Sequence, residues 1–199
     1  MSDLIPTRSA LLELRDEQGV MREGHAFLDE KRVLLASEIV VQLRHYEAQR
    51  REYLAHREDA ALATMHAVQR HGLEGLAAYP AAASAGAFRQ HRRSLLGVPL
   101  TEARLEIDEV RQASADLATP EGEHCKTTFR ILLEDLVALA ATTANLTRLL
   151  REYQRTERRA RALEDVIIPE LRERIKAIGD VLEAQELEEA IRVRSRRRG

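Results

Sequence analysis

Apolar residues recur at steps built from three and four positions between residues 7 and 71, with polar residues between them. This spacing places the apolar side chains along one side of an α-helix. No proline interrupts the segment, Thr7 follows Pro6 as a suitable N-cap, and the pattern ends near Gly72. A continuous helix of this length would extend roughly 100 Å. The periodic positions are Leu11, Leu14, Met21, Leu28, Leu35, Ile39, Tyr46 and Tyr53, with Gln18, His25 and Arg32 in the same seam.

A second periodic segment begins near residue 128 and is more regular. Its positions alternate steps of three and four, a heptad pattern that predicts a left-handed coiled coil with a partner helix. They are Phe129, Leu132, Leu136, Leu139, Thr143, Leu146, Leu150 and Tyr153. From Ala160 the steps lengthen towards an eleven-residue repeat, so we expect the supercoil to unwind towards the C-terminus.

Pro169 lies within this second segment, where ALEDVIIPELRERI keeps its apolar spacing on both sides of the proline. A proline inside a helix removes a hydrogen bond and crowds an earlier carbonyl group, at a cost of about 3 kcal/mol. Burial of the flanking apolar side chains, at roughly 1.5 to 3 kcal/mol each, would outweigh that cost. The sequence therefore predicts one kinked helix and not two. The side chains expected to be buried are Val166, Ile167, Leu171, Ile175 and Ile178.

The middle of the chain, residues 73–127, interrupts both seams with prolines, glycines and an alanine-rich run. The stretch FRQHRRSLLGVPL, Phe88 to Leu100, predicts a short strand or hairpin with Gly97 and Pro99 at its edge. Residues 101–117 are expected to form a short helix.

The simplest fold for two long amphipathic helices joined by a middle insert is an antiparallel coiled coil. We therefore predict an all-α fold with a small irregular head that includes a β-hairpin. Its parts are an N-terminal helix (residues 1–72), the head (73–127) and a C-terminal helix with a basic tip (128–199). If Tyr53 packs near Phe129, Leu11 falls near Leu171 or Arg172. Residues from about 183 then extend beyond the start of the first helix.

Composition supports elongated helices, because aromatic residues make up only 4% of the chain and charged residues 32%. The 31 basic and 33 acidic residues nearly cancel. Because the net charge is small, the chain has no strong overall electrostatic field that would attract nucleic acid or a membrane. A protein partner is therefore favoured. A single cysteine, Cys125, excludes an internal disulfide bond. With neither a signal-peptide core nor a run of about 18 apolar residues, we expect a soluble cytoplasmic protein.

The sequence contains no phosphate-binding glycine loop and no recognisable arrangement of a nucleophile with a base. Glu121, His124 and Cys125 are close in sequence but lack the further ligands of a metal site. Asn145 starts an NLT sequon inside a predicted helix, which we interpret as chance. The tail RVRSRRR could contact phosphates or an acidic protein surface. We expect no catalytic residue, no metal site and no cofactor.

Four stretches of the sequence resemble the D subunit of the V-type and archaeal-type (A-type) ATPases and ATP synthases. They are PTRSALLEL with REGHAFLDEKRVLL near the N-terminus, RRSLLGVPL in the middle, and TERRARALEDVIIPELRERIKAI near the C-terminus. The last stretch is the most specific, and Pro169 belongs to its pattern. Ala160, Arg161 and the terminal EEAIRVRSRRR depart from the family's usual residues.

The resemblance implies a non-catalytic central rotor shaft that couples ATP hydrolysis or synthesis to ion transport. Its implied partners are the A and B subunits of the catalytic hexamer, the F subunit, and the component that connects to the membrane ring. The protein would be cytoplasmic, at the membrane periphery within the complex. The candidate partner-interface residues are Thr7, Arg8, Gly24, His25, Lys31, Arg32, Gly97, Val98, Arg158, Arg159, Pro169, Ile191, Arg192 and Arg194.

Two other classes of function remain open at this point. One is a cytosolic coiled-coil scaffold or tether that binds partner helices or membrane surfaces. Acidic and basic residues alternate along both helices and do not form the one-sided basic surface that membrane binding requires. The other is a helical binder of nucleic acid or protein that uses the tail RVRSRRR.

Overall fold

The computed structural model describes residues 6–77, 86–107 and 119–197. The first helix, α1, runs from Arg8 to Ala77 over 70 residues. Its N-cap is confirmed, because the amide of Ala10 donates a hydrogen bond of 3.1 Å to the hydroxyl of Thr7. Gly72 has φ 67° and ψ 170°, so the regular helix is interrupted at the residue where the apolar pattern ends.

The middle of the chain forms a two-stranded antiparallel hairpin, as the sequence predicts. Strand β1 is Gly86–Leu95 and strand β2 is Val98–Ile107. Leu96 and Gly97 connect them with φ 50° and φ 86°, two positive values that match the twist of a tight hairpin. The prediction of a helix from residue 101 is wrong, because residues 101–107 belong to β2. Residues 108–118 lie outside the described part of the chain.

The C-terminal part of the chain is one helical path with a local change of geometry. Helix α2 runs from Pro120 to Ala162, a π-helical turn spans Leu163–Ile167, and helix α3 runs from Ile168 to Arg196. The path is not split at Pro169. The two long antiparallel helices with a hairpin between them confirm the predicted fold class. Among the described residues, no helix has the length and apolarity needed to span a membrane.

The chain divides into two compact units. The terminal unit combines residues 1–34 with residues 153–199, and the hairpin unit comprises residues 35–152. In the terminal unit, Leu14, Leu171 and Ile178 form a buried cluster. Leu11 packs against this cluster, in agreement with its predicted proximity to Leu171. Arg8 pairs with Glu186 at the end of the unit, so the two helical segments run antiparallel.

The hairpin unit also contains antiparallel helical segments. The Nδ1 atom of His56 lies 2.6 Å from the carboxylate of Asp135, and Thr64 lies near Cys125. The segment of α2 that contains Phe129 therefore lies opposite the part of α1 between His56 and Thr64, and not opposite Tyr53 as predicted. Phe129 is itself 49% exposed.

The seam of α2 has the predicted period but a different phase. Thr142, Asn145 and Leu149 are buried in the hairpin unit, whereas the neighbouring predicted positions Thr143 and Leu150 are exposed. Nearer the start of α2, where Thr64 of α1 lies close to Cys125, the buried residues of α1 are the small residues Ala60, Ala63 and Ala67. The hydroxyl of Thr142 donates to the carbonyl of Ala138, which satisfies a polar group inside the narrow seam.

Candidate functional site

Two stretches that carry the family resemblance meet in the terminal unit. A Cβ atom added to Gly24 would lie 3.9 Å from Cδ1 of Leu163. The adjacent residue, His25, approaches Glu164. The first stretch lies on α1 and the second forms the π-helical turn. The antiparallel packing of the helices therefore brings together residues that are distant in sequence.

His25 lies between two carboxylates at this junction. Its Nδ1 atom is 3.6 Å from Asp29 and its Nε2 atom is 3.6 Å from Glu164. Both distances are too long for a good hydrogen bond. The Nε2 atom is shielded from solvent and makes no hydrogen bond within the described chain. Arg32 also pairs with Asp29, at 3.1 Å. The junction is thus polar and partly buried.

The π-helical turn accommodates Pro169. The amide of Ile168 donates to the carbonyl of Leu163, five residues earlier, whereas an α-helix bonds residues four apart. The wider turn relieves crowding by the proline ring, which would otherwise press on a carbonyl of the preceding turn. Val166 is 50% exposed and Ile167 is 37% exposed, so the prediction that both are buried is wrong. The turn presents these apolar side chains to solvent.

The C-terminal tip is the second exposed region of the terminal unit. Every described residue from Glu183 to Arg197 is exposed. The predicted candidates Arg192 and Arg194 lie here, and Arg192 pairs weakly with Glu188 at 3.5 Å. Exposed apolar side chains accompany these arginines: Leu187, Ile191 and Val193.

The remaining predicted candidates are spread over both units. Lys31 is partly buried, and Arg158 and Arg159 are exposed on α2. Gly97 supplies the hairpin turn, and Val98 is a core residue with only 4% exposure. The candidates therefore do not form one cluster. The structure brings together Gly24, His25 and the π-helical turn, with the tip further along the same unit.

The hairpin is attached to α2 by Asn145, a residue that its sequence motif alone did not mark as functional. Its side chain accepts a hydrogen bond from the amide of Thr101 and donates one to the carbonyl of Thr101, each 2.8 Å long. Arg148 adds weaker contacts to the carbonyl of Pro99 and to Thr101. The ion pair between Arg93 and Glu38 connects the hairpin to α1. The one sequence feature that could have indicated its burial is its position immediately before Leu146, which the heptad pattern places in the seam.

Titratable groups form one notable pair outside these regions. The hydrogen bond to Asp135 raises the pKa of His56 above its ordinary value of 6.5, and nearby acidic residues act in the same direction. Within the described residues, no three His, Cys, Asp or Glu side chains are grouped to hold a metal ion. The candidate regions are therefore a polar contact between α1 and the π-helical turn, exposed apolar side chains on the turn and the tip, and the attachment of the hairpin to α2.

Comparison with known proteins identifies similar sequences along nearly the whole chain. The sequence model of a family described as the ATP synthase D subunit matches residues 10–197. A V-type ATP synthase D subunit of Anaeromyxobacter sp. (strain K) is 33% identical, over 98% of this chain and 95% of that protein. One from Thermotoga neapolitana is 29% identical over 95% and 94%. An A-type ATP synthase D subunit of Thermococcus sibiricus is 30% identical over 95% and 91%.

Proposed function

The chain belongs to the family of ATP synthase D subunits, and we propose that it serves as the central rotor shaft of a V-type or A-type ATP synthase. The observation that carries this proposal is the extent of the family match, which covers both long helices and the hairpin. The names of the relatives favour this function over a coiled-coil scaffold or tether. In this function the chain transmits force and does not catalyse a reaction.

The partners follow from the proposed function. The A and B subunits would surround the helices as the catalytic hexamer, and the F subunit would bind the middle of the chain. A further component would connect the shaft to the membrane ring, which places the protein at the membrane periphery. Exposed apolar side chains on the tip and the π-helical turn support contacts with surrounding subunits, since such groups are favoured at the centres of interfaces.

The mechanism depends on asymmetry. A pair of antiparallel helices has no threefold axis, so its surface differs in each of three directions. A hexamer with three catalytic interfaces would therefore meet a different surface at each interface. Each rotational position would stabilise a different conformation at each site, since a ligand shifts a conformational equilibrium through its differential contacts. Rotation and ATP chemistry would be coupled in this way.

Reconstitution with purified A, B and F subunits tests the proposal. We expect the chain to bind the F subunit and to join the A and B hexamer at one copy per hexamer. Size-exclusion chromatography with native mass spectrometry would measure both. Failure of the chain to join either partner, with both partners properly folded, would contradict the proposed function.

The tip offers a matched pair of variants for the same assay. Ile191 is 60% exposed on the tip, and a charge there would oppose its burial against the hexamer. We expect Ile191→Asp to weaken binding to the hexamer. Glu189→Gln removes a charge from the same helical segment without adding a charge to an apolar position, and should bind like the parent chain.

A further inference from the structure

A groove of about 410 Å³ lies in the hairpin unit, between one face of the hairpin and α2. Its walls are largely apolar. Val137, Ala140 and Ala144 line it from the helix, and Phe88 and Ala103 line it from the hairpin. Phe88 is 55% exposed and Ala140 is exposed, so the groove is open to an incoming side chain.

The groove exists because the hairpin is attached to α2 through a strand edge. Asn145 binds the backbone of Thr101, whose amide and carbonyl point away from β1. The two faces of the hairpin therefore stand away from the helix surface. The alanine side chains of α2 are too short to fill the gap that this leaves.

Two arginines border the groove, and neither has a carboxylate partner within the described residues. Arg92 contacts the side-chain oxygen of Gln90, at 3.3 Å. All the side-chain contacts of Arg148 to other described residues use Nη1, so its other guanidinium nitrogens can bind an incoming group. Among the described residues that line the groove there is no Asp or Glu. The result is an apolar pocket with positive charge at its border.

A second groove on the opposite face of the hairpin differs in charge. Its volume is about 490 Å³, and its lining includes two carboxylates, Glu38 and Glu102, beside two arginines, Arg93 and Arg104. Glu38 forms an ion pair with Arg93, which neutralises that arginine. Arginines beside an apolar lining that contains no carboxylate among its described residues are thus a property of the first groove.

We propose that the first groove binds a segment of a neighbouring protein subunit that carries a large apolar side chain next to a carboxylate. The apolar side chain would occupy the space above Ala140 and Ala144. The carboxylate would bind Arg92 and the free nitrogens of Arg148, because a guanidinium group binds a carboxylate strongly through paired hydrogen bonds. This inference rests on the proposed function, which supplies the neighbouring subunit.

Site-specific photo-crosslinking in the reconstituted complex identifies the occupant. A photoreactive phenylalanine analogue replaces Phe88, whose ring already lines the groove, in the full chain, which is assembled with the A, B and F subunits. Mass spectrometry then locates the crosslinked segment. We expect a segment of another subunit that contains Asp or Glu beside an aromatic or aliphatic residue. A crosslink to a second copy of this chain, or no crosslink in the intact complex, would overturn the proposal.

Affinity measurements with matched variants test the chemistry of the groove. Arg92→Glu reverses the charge at its border and should weaken binding of the crosslinked subunit by about tenfold. Ala140→Phe fills the apolar space and should also weaken binding. Arg104→Glu makes the same charge change on the opposite face of the hairpin, and should leave the affinity within about twofold.

The pattern of results separates this inference from the proposed function. If the parent chain assembles normally and the three variants bind equally well, the groove is not the binding site and the rotor function stands. Equal weakening by all three variants would also overturn the proposal, since it would show a general effect on the hairpin. If the parent chain joins no other subunit, both the proposed function and this inference are overturned.

Discussion

The side-chain amide of Asn145 pairs with the backbone of Thr101 as a neighbouring β-strand would. It accepts from the amide and donates to the carbonyl at 2.8 Å each, and Asn145 itself is 4% exposed. An exposed strand edge is a site for unwanted pairing with other chains. One side chain on α2 therefore covers part of the edge of β2 and fixes the position of the hairpin.

Replacement of Asn145 by Ala should release the hairpin from α2. The change removes two hydrogen bonds and leaves the amide and carbonyl of Thr101 without these partners. We expect the free energy of unfolding to fall by about 1 to 3 kcal/mol. Hydrogen exchange at the amide of Thr101 should become faster.

The control for this change is Thr147→Ala, at an exposed position of the same helix. This variant should change the free energy of unfolding by no more than about 0.5 kcal/mol, and hydrogen exchange at the amide of Thr101 should be unchanged. Equal exchange rates at Thr101 in the parent chain and in Asn145→Ala would show that the amide pairing does not hold the hairpin.

Two adjacent leucines test the phase of the α2 seam. Leu149 is 0% exposed and Leu150 is 49% exposed. Leu149→Ala should lower the free energy of unfolding by about 2 to 5 kcal/mol, because it leaves a cavity at a fully buried position. Leu150→Ala should cost less than about 1 kcal/mol. Chemical denaturation measures both, and the reverse order would indicate that Leu150 faces the seam.

Gly24 and Gly19 form a matched pair on α1. A Cβ atom on Gly24 would contact Leu163 at 3.9 Å, whereas one on Gly19 would meet nothing within 4 Å. Gly→Ala at either position should stabilise the helix by about 0.5 to 1 kcal/mol. Leu at position 24 should destabilise by about 1 to 3 kcal/mol, since the larger side chain would displace Leu163.

The same substitution at Gly19 serves as the control and should be tolerated. Thermal unfolding of the four variants would compare the two sites. Equal stability of the two leucine variants would show that Gly24 is not packed against the π-helical turn.

The pair His56 and Asp135 predicts a dependence of stability on pH. The pKa of His56 is raised in the folded protein, mainly by its hydrogen bond to Asp135. The folded state therefore holds the proton more tightly than the unfolded state. The stabilisation is complete below about pH 6.5, and it is lost as pH rises through the raised pKa.

Urea denaturation at a series of pH values on both sides of neutrality measures this effect, because the midpoint of unfolding follows stability. In the parent chain the midpoint of unfolding should fall as pH rises, and in His56→Gln most of this fall should be absent. Asp135→Asn, which removes the carboxylate but keeps the histidine, should lose it as well. If the midpoint of unfolding changed with pH in the same way in the parent chain and in both variants, the pair of His56 and Asp135 would not be the source of the pH dependence.

Pro169 provides a prediction that depends on the rotor function. Replacement by Ala restores an amide donor and removes the ring, so the π-helical turn should shift towards α-helical geometry. The position of Val166 and Ile167 would change with it. In the reconstituted complex we expect weaker stimulation of ATP hydrolysis. Unchanged stimulation, at equal incorporation of the shaft, would show that the turn has no part in coupling.

The period of the helices could be predicted from the sequence, because an α-helix returns to the same side about every 3.6 residues whatever packs against it. The seam of α1 follows its predicted positions near its start, where Leu11, Leu14 and Met21 lie in or against the buried cluster. The hairpin turn was also predictable, since Gly97 tolerates a positive φ. The local chemistry of each residue was sufficient for these features.

The phase of the α2 seam was decided by tertiary structure. Adjacent residues on a helix point about 100° apart, so either Leu149 or Leu150 could face α1. Polar residues such as Thr142 and Asn145 enter the seam only because their partners, a carbonyl of the same helix and the backbone of β2, are present in the folded chain. A hydropathy scale assigns Thr142 and Asn145 to the surface. The scale includes the free-energy cost of burying a polar group but not the hydrogen bonds that offset this cost in the folded chain.

The candidate site divides in the same way. The sequence alone selected Gly24, His25 and Pro169 by their resemblance to a family, and it determined that the chain forms long amphipathic helices. Only the tertiary structure placed Gly24 and His25 beside the π-helical turn and exposed Val166 and Ile167. Contacts between distant segments depend on the register of two helices. That register is set by the sum of many packing interactions, which no single stretch of sequence contains.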